Sequence, residues 1–333
     1  MKRILVFPAI IFLAVLTACS SCDMDPEVVS IWGGDLSVPK LLGVETESPT
    51  TLLASFSAPV TILDSSVVVP DSGADSSRSA RWECGGGENC VRFTLNEKLG
   101  IGTHAVLAAM VADSKGNSLS FSVPVTAFND HVPKLRINEV RMAYSKPKVE
   151  YVELYALSDG NLSGVEISCA MDTADPAYEF PAAEVRAGDY IVYHLRSVEE
   201  GLVDETGALD ASAGTDARPF ARDFWNTLSK SPLKPTNVIL VRARKGGKIL
   251  DALLCAETGV ADWPDALRSA VDEAVASGAW KPGSSIQDAT VSSGSTATRT
   301  IGRNALSDDT DTAADWSICA TGKCSPGAVN KTP

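Results

Sequence analysis

Ser118-Leu119-Ser120-Phe121-Ser122-Val123-Pro124-Val125-Thr126 puts an apolar side chain at every second position. A strand turns successive side chains to opposite faces, so this period of two predicts one buried and one wet face. The same pattern recurs upstream. Leu52, Ala54, Phe56, Ala58 and Val60 alternate around Ser55 and Ser57, and Phe93 and Leu95 alternate with Arg92, Thr94 and Asn96. Asp113-Ser114-Lys115-Gly116-Asn117 supplies turn formers just ahead of the quoted strand. Residues 31–130 thus have the size and texture of a β-sandwich. The Ser-, Gly- and Arg-rich stretch from Pro70 to Cys90 interrupts the pattern and is expected to be a long loop.

Asn129-Asp130-His131-Val132-Pro133 combines turn formers with a proline that cannot continue a ladder, and marks a boundary. A second set of strands is expected at Leu135–Val140, Tyr151–Ala156, Leu162–Ile167, Tyr190–Leu195, Val238–Val241 and Ile249–Leu254. Gly246-Gly247 between the last two reads as a hairpin turn. Two stripes have helical spacing. Phe220, Phe224 and Leu228 recur every four residues. Leu267, Ala270, Val271, Ala274 and Val275 form a cleaner stripe, with Pro264 at its start and Gly278 at its stop. Both are expected to pack on the core as insertions, the second near residues 262–280. The fold class is therefore all-β: two sandwiches in tandem, the second with short helical insertions.

Two resemblances sharpen this reading. Thr51 through Phe56-Ser57 to Pro59-Val60, then Gly102-Thr103-His104, then Val111-Ala112-Asp113 to Asn117-Ser118-Leu119, resemble the motifs of bacterial Ig-like domains of the S-layer and adhesin type. Residues 134–333 resemble the lamin-tail domain, an Ig-like sandwich. Ile137-Asn138-Glu139-Val140 is similar to its opening, and Glu150-Tyr151-Val152-Glu153-Leu154-Tyr155 to its next strand. Asn161-Leu162-Ser163-Gly164, Phe180 with Ala187-Gly188-Asp189-Tyr190, and Lys248-Ile249-Leu250-Asp251-Ala252 follow in order. Arg303, Asp315-Trp316 and Ser325-Pro326-Gly327-Ala328-Val329-Asn330 close the series. Ala156 stands where that family usually has Asn, and Val165 where it usually has Trp. Those departures weaken a hydrogen bond and a core contact, not the topology.

The N-terminus carries an address. Lys2 and Arg3 precede an apolar run from Ile4 to Leu16, of secretory length and too short to span a membrane. Leu16-Thr17-Ala18-Cys19 resembles the bacterial lipobox, which implies a signal peptide over 1–18 and a lipidated tether over 19–30. Cys19 is the expected lipidation site. Each buried acyl CH₂ adds ~0.8 kcal/mol, so several chains on one residue make a lasting anchor. The expected location is the bacterial cell envelope, at the outer membrane.

The chain of 333 residues has a formal net charge of −13. Nucleic acid and anionic lipid repel such a chain, so neither is expected as a main partner. Export opens an oxidising compartment, where disulfides form. Short glycine-containing spacers suggest Cys84–Cys90 and Cys319–Cys324 bridges, and Cys169–Cys255 is expected to join two distant strands. Cys22 is left over. Metal binding by Cys-x5-Cys and Cys-x4-Cys is the disfavoured alternative, since no histidine lies beside either pair.

Candidate chemistry is sparse. Asp308, Asp309 and Asp311 are weak metal candidates, but the run lacks the glycine and closing glutamate of a calcium loop and is expected to be a solvated turn. Glu139 and Glu153 fall on neighbouring strands in the lamin-tail reading, where they belong to the fold signature, so their expected role is structural. His194 has no Ser or Cys partner in a recognisable motif and is expected at the surface. No nucleophile elbow, P-loop or dinucleotide fingerprint occurs. The expected function is a non-enzymatic, membrane-anchored binding or display module with no cofactor, its ligand a protein or polysaccharide. A structural envelope scaffold is the alternative, and a secreted hydrolase or nuclease a remoter one.

Overall fold

The computed structural model describes residues 37–69, 77–78, 80–169, 177–281, 283–304 and 309–331. The signal peptide, Cys19, Cys22 and Asp308 lie outside these residues, as does the side chain of Cys84.

The first sandwich is built from β1 (Leu41–Ser48), β2 (Thr51–Phe56), β3 (Thr61–Val68), β4 (Ser77–Arg78), β5 (Ala80–Cys84), β6 (Cys90–Leu95), β7 (His104–Ala112) and β8 (Ser118–Thr126). One sheet has the order β1-β2-β6-β5 and the other β4-β3-β7-β8. Period two decides which side chains meet. Leu52, Ala54 and Phe56 of β2, Val91, Phe93 and Leu95 of β6, and Ala105, Leu107, Ala109 and Val111 of β7 turn inward and are buried. Each large apolar side chain so buried contributes roughly 1.5–3 kcal/mol. β8 alternates as its sequence requires, but it is an edge strand, so Leu119, Phe121 and Val123 are only half-buried. The turn before it is held by Asp113, whose Oδ1 accepts the N–H groups of Lys115 and Asn117 at 2.9 Å each. Gly116 supplies the positive φ of 88°. The expected loop from Pro70 to Cys90 is corrected in part: Ala80–Cys84 pairs antiparallel with β6, closing a hairpin.

The second sandwich follows as β9 (Leu135–Arg141), β10 (Tyr151–Ala156), β11 (Gly160–Asn161), β12 (Glu166–Cys169), β13 (Tyr178–Glu179), β14 (Glu184–Val185), β15 (Tyr190–His194), β16 (Arg222–Trp225), β17 (Asn237–Arg242) and β18 (Ile249–Ala256). Helix α1 (Asp265–Ala276) comes next, then β19 (Thr290–Val291), β20 (Ile301–Arg303) and β21 (Trp316–Ile318). The main sheets are β16-β15-β10-β9-β20-β21 and β13-β12-β17-β18-β19. Their core shares no residue with that of the first sandwich. Residues between the strand sets belong with the second: Asn129 Nδ2 donates to the carbonyls of Asn161 at 2.7 Å and Ser163 at 2.8 Å, and Asn161 N–H donates to His131 O.

The stripe at residues 267–275 folds as expected. Leu267, Val271 and Ala274 are the buried face of α1, and Gly278 leaves the helix at φ 79°. The stripe of Phe220, Phe224 and Leu228 does not form a helix. Residues 222–225 instead add a parallel strand to the edge of β15, which leaves Phe224 fully buried and Phe220 exposed. An open sheet edge offers that segment backbone partners that an isolated helical turn lacks.

Candidate functional site

Strands β9 and β10 bring the two carboxylates singled out from sequence into direct register, Glu139 opposite Glu153. A bulge at Asn138 makes this possible. Before it Leu135 and Ile137 face the core; after it Val140 and Met142 do. The extra residue shifts the phase and sends Glu139 and Arg141 to the opposite face. That face is covered by the C-terminal segment. Ser325 N–H donates to both oxygens of Glu139, at 3.0 and 3.1 Å, and Thr300 Oγ1 donates to Oε1. Glu153 Oε2 accepts Gly327 N–H at 2.5 Å and its Oε1 accepts Asn138 Nδ2 at 2.7 Å. Burial pushes the Glu153 carboxyl well above the usual range, against the pull of these two donors. Asn330 completes the closure by donating to the carbonyls of Asn138 at 2.8 Å and Arg303 at 2.9 Å. The carboxylate pair is thus occupied in holding the tail against the sheet.

The thiols lie beside it. Cys319 Sγ is 3.2 Å from both N and Oγ1 of Thr300. Ligand atoms of Glu139, Cys319 and Cys324 all lie within 4.8 Å of one another, a set that could hold a soft cation. Burial raises the Cys324 thiol, while Thr300 and Arg141 draw it down. The Cys169–Cys255 expectation needs correction. Cys90, Cys169, Cys255, Cys319 and Cys324 are free thiols, so neither Cys169–Cys255 nor Cys319–Cys324 is bridged in this structure, while the Cys84–Cys90 expectation involves a side chain outside the described residues. For Cys169 and Cys255 the reason is topological: they pair with Ile239 and Asn237 on opposite sides of β17, so a whole strand separates them. Burial pushes both of these thiols up to about 12.

The acidic run is not a solvated turn. Asp309 takes Arg303 at 2.6 Å and Arg136 at 2.9 Å, and Asp311 takes Lys281 at 2.9 Å. Asp251, Asp309 and Asp311 do bring carboxylate oxygens within 4.8 Å of one another. The cations of Arg303, Arg136 and Lys281 already provide the positive charge a metal would bring. Arg303 is the centre of this network. It donates to Ile137 O at 2.9 Å and to Asp251 Oδ2 at 2.7 Å, and lies 4.4 Å from the Trp316 ring centroid. Asp251 Oδ2 also accepts Ile137 N–H at 2.6 Å. Burial pushes Asp251 up to about 6 despite the nearby guanidinium.

His194, expected at the surface, is fully buried. Its Nε2 is 2.6 Å from Asp223 Oδ1, and its ring stacks on Trp225 with centroids 3.7 Å apart. Asp223 Oδ2 accepts the N–H of Arg218 at 2.7 Å. The pair arises from parallel pairing of β15 with β16, which no local motif signals. It is sealed from solvent, which suits a structural role.

An open groove lies between the sandwiches. A groove of about 870 Å³ is lined by Gly43–Thr46 of the edge strand β1, by residues 126–129, and by the hairpin residues 243–248. Arg244 crosses it, donating to Thr46 O at 3.3 Å with its guanidinium 5.0 Å from the Phe128 ring centroid. The hairpin is turned by Gly246 at φ 63°.

Comparison with known proteins gives the following. The family model described as TP_1001_2nd, protein second domain, matches residues 133–318. A protein of Treponema pallidum (strain Nichols), described as uncharacterized, is 34% identical over 218 residues, covering 65% of this chain and 54% of that protein. The matched stretch thus spans about half the length of that relative. Among solved structures, the N-terminal part of the bacterial S-layer protein SbsC gives a TM-score of 0.27 at 16% identity, covering 41% of this chain and 36% of that one. The S-layer protein rSbsC(31-844) gives 0.26 at 12% identity, covering 62% and 39%. TM-scores this low carry neither fold nor function across.

Proposed function

We propose, for a chain that belongs to the TP_1001_2nd family through residues 133–318, the role of a lipid-anchored, non-enzymatic binding or display module of the bacterial cell envelope. The observation that carries the binding reading is the groove of about 870 Å³ between the two sandwiches. It exposes an edge strand and a basic hairpin, the features by which sandwich domains take ligands. Anchoring rests on Leu16-Thr17-Ala18-Cys19, with Cys19 as the lipid acceptor at the outer membrane. The non-enzymatic reading is supported by how the reactive groups are used. Glu139 and Glu153 hold the tail, and His194 is buried against Asp223 and Trp225.

Residues 134–333 are read as a sandwich of the lamin-tail type. Support comes from the motif pieces meeting in space: Ile137, Asp251, Arg303 and Trp316 at one network, and Glu153, Gly327 and Asn330 at another.

The test is metabolic labelling with an alkyne fatty acid, followed by protease shaving of whole cells and affinity capture from solubilised envelope. Wild type should carry label and Cys19→Ser should not. Arg244→Glu should reduce capture of an envelope protein or polysaccharide taken by the wild type. Label that persists in Cys19→Ser would remove the anchor. Capture unchanged in Arg244→Glu would remove the groove and favour the scaffold alternative.

A further inference from the structure

A second concavity, of about 330 Å³, shares no lining residue with the interdomain groove. Arg141, Lys148 and Arg218 line it together with Thr298, Cys324 and Ser325, and no carboxylate does. That is notable in a chain of net charge −13. Three cations converge here for identifiable reasons. The bulge at Asn138 sends Arg141 to the outer face of β9, where it lies 4.5 Å from the Tyr151 ring centroid and donates to Val149 O at 3.2 Å. Asp216 pairs with Arg141 through Oδ2 and with Arg218 through Oδ1 at 2.9 Å. One carboxylate therefore serves two guanidinium groups and leaves a unit of positive charge uncompensated. Lys148 adds another, with no ion pair among the described residues. Arg141 is 1% exposed and its Nε, also buried, has no hydrogen-bond partner among the described residues. Glu139 lies behind Cys324, held by Ser325 N–H and Thr300 Oγ1, and offsets one of these charges, so three cations stand against two carboxylates and a net positive charge remains at the pocket.

We propose that this pocket binds an oxyanion group, phosphate or carboxylate, carried on a sugar-sized molecule. The charge calls for an anion, and guanidinium groups suit the planar or tetrahedral oxyanions they can meet with paired N–H donors. The volume is at the low end of small-molecule sites, about 300–1,000 Å³. The hydroxyls of Thr298 and Ser325 at the wall suit a hydroxylated body. The proposal rests on none of the groove residues, nor on Cys19, so its failure and that of the binding reading above are separable.

The test is calorimetric titration of the mature chain with glucose 6-phosphate, glucuronate, inorganic phosphate and glucose. At least one of the two anionic sugars should bind, and which one does distinguishes phosphate from carboxylate. Glucose should not bind, and added salt should weaken the anionic sugars. Lys148→Glu should weaken binding about tenfold or more, the effect expected of losing a charge-assisted contact. Lys234→Glu, the same charge change at an exposed position outside the pocket, should leave binding unaltered. Lys148 is half-buried at the pocket wall, so folding of Lys148→Glu is checked by circular dichroism, and Lys148→Ala serves if that variant does not fold. No binding of either anionic sugar at millimolar concentration overturns the proposal. So does glucose binding as well as they do, or affinity unchanged by Lys148→Glu. Inorganic phosphate binding as tightly as glucose 6-phosphate overturns the sugar-sized body.

Discussion

Glu153 Oε2 accepts the backbone N–H of Gly327 at 2.5 Å, joining residues 174 positions apart. The contact ties the middle of the second sandwich to the end of the chain. It needs Gly327 at φ 78°, a conformation other residues adopt with strain, and a Cβ there would also approach Ala221 Cβ to 3.4 Å. The strand residue and the tail residue belong to separate motif pieces in the sequence and to one interaction in the fold.

The tail should therefore be a measurable part of the second sandwich's stability. Asn330→Ala removes the donor to Asn138 O and Arg303 O. Leaving half-buried carbonyls unpaired costs about 1–3 kcal/mol. A urea midpoint unchanged from wild type would show that the tail lies on the sheet without holding it.

Arg303→Ala should be more damaging. Arg303 is the buried partner of Asp251 and also serves Ile137 O and Asp309. Removing one member of a buried ion pair costs about 3–5 kcal/mol, because the other is left charged in a dry site. Combining it with Asp251→Asn should recover part of the loss. If the double variant loses the sum of the two single effects, Asp251 and Arg303 act independently.

The pH dependence of that site has a definite sign. Asp251 is pushed up to about 6 from an ordinary value of 3.8 by burial. The folded chain then binds this proton more tightly than the unfolded chain does. Its contribution is full below the unfolded value and is lost as pH rises through about 6. Urea denaturation of wild type and Asp251→Asn across that window should show the wild type losing ground to the variant as pH rises. A difference that stays constant with pH would mean the carboxyl titrates alike in both states.

Cys319 and Cys324 should form a disulfide in an oxidising compartment. Their sulfurs already lie within 4.8 Å, and the spacer turns at Gly322 with φ 73°. Closing it releases two thiol protons and two electrons to a disulfide oxidant, whose own S–S bond breaks to two thiols in the exchange. Non-reducing peptide mapping should recover this bridge with Cys169 and Cys255 both free. A Cys169–Cys255 peptide in place of it would mean that the strand order around β17 is wrong.

What the sequence alone determined is local. Alternation at Leu52–Val60 and Ser118–Thr126 told which side chains turn inward, because a strand's two faces are written in consecutive residues. Leu267, Val271 and Ala274 told the same for α1, and Asp113 with Gly116 marked the turn that their chemistry enforces. The ordered motif pieces of residues 134–333 anticipated strands, yet not why those residues recur. Only the tertiary structure decided that. It set Glu139 against Glu153, brought Gly327 and Asn330 onto them, and placed Arg303 between Asp251 and Trp316. It turned the helical spacing of Phe220, Phe224 and Leu228 into an edge strand, and through that strand buried His194 against Asp223. It also put β17 between Cys169 and Cys255. Hydrophobic periodicity is a property of neighbours in the chain. Hydrogen-bond and charge partners are chosen by which strands lie side by side, and that depends on how two sheets close over one core.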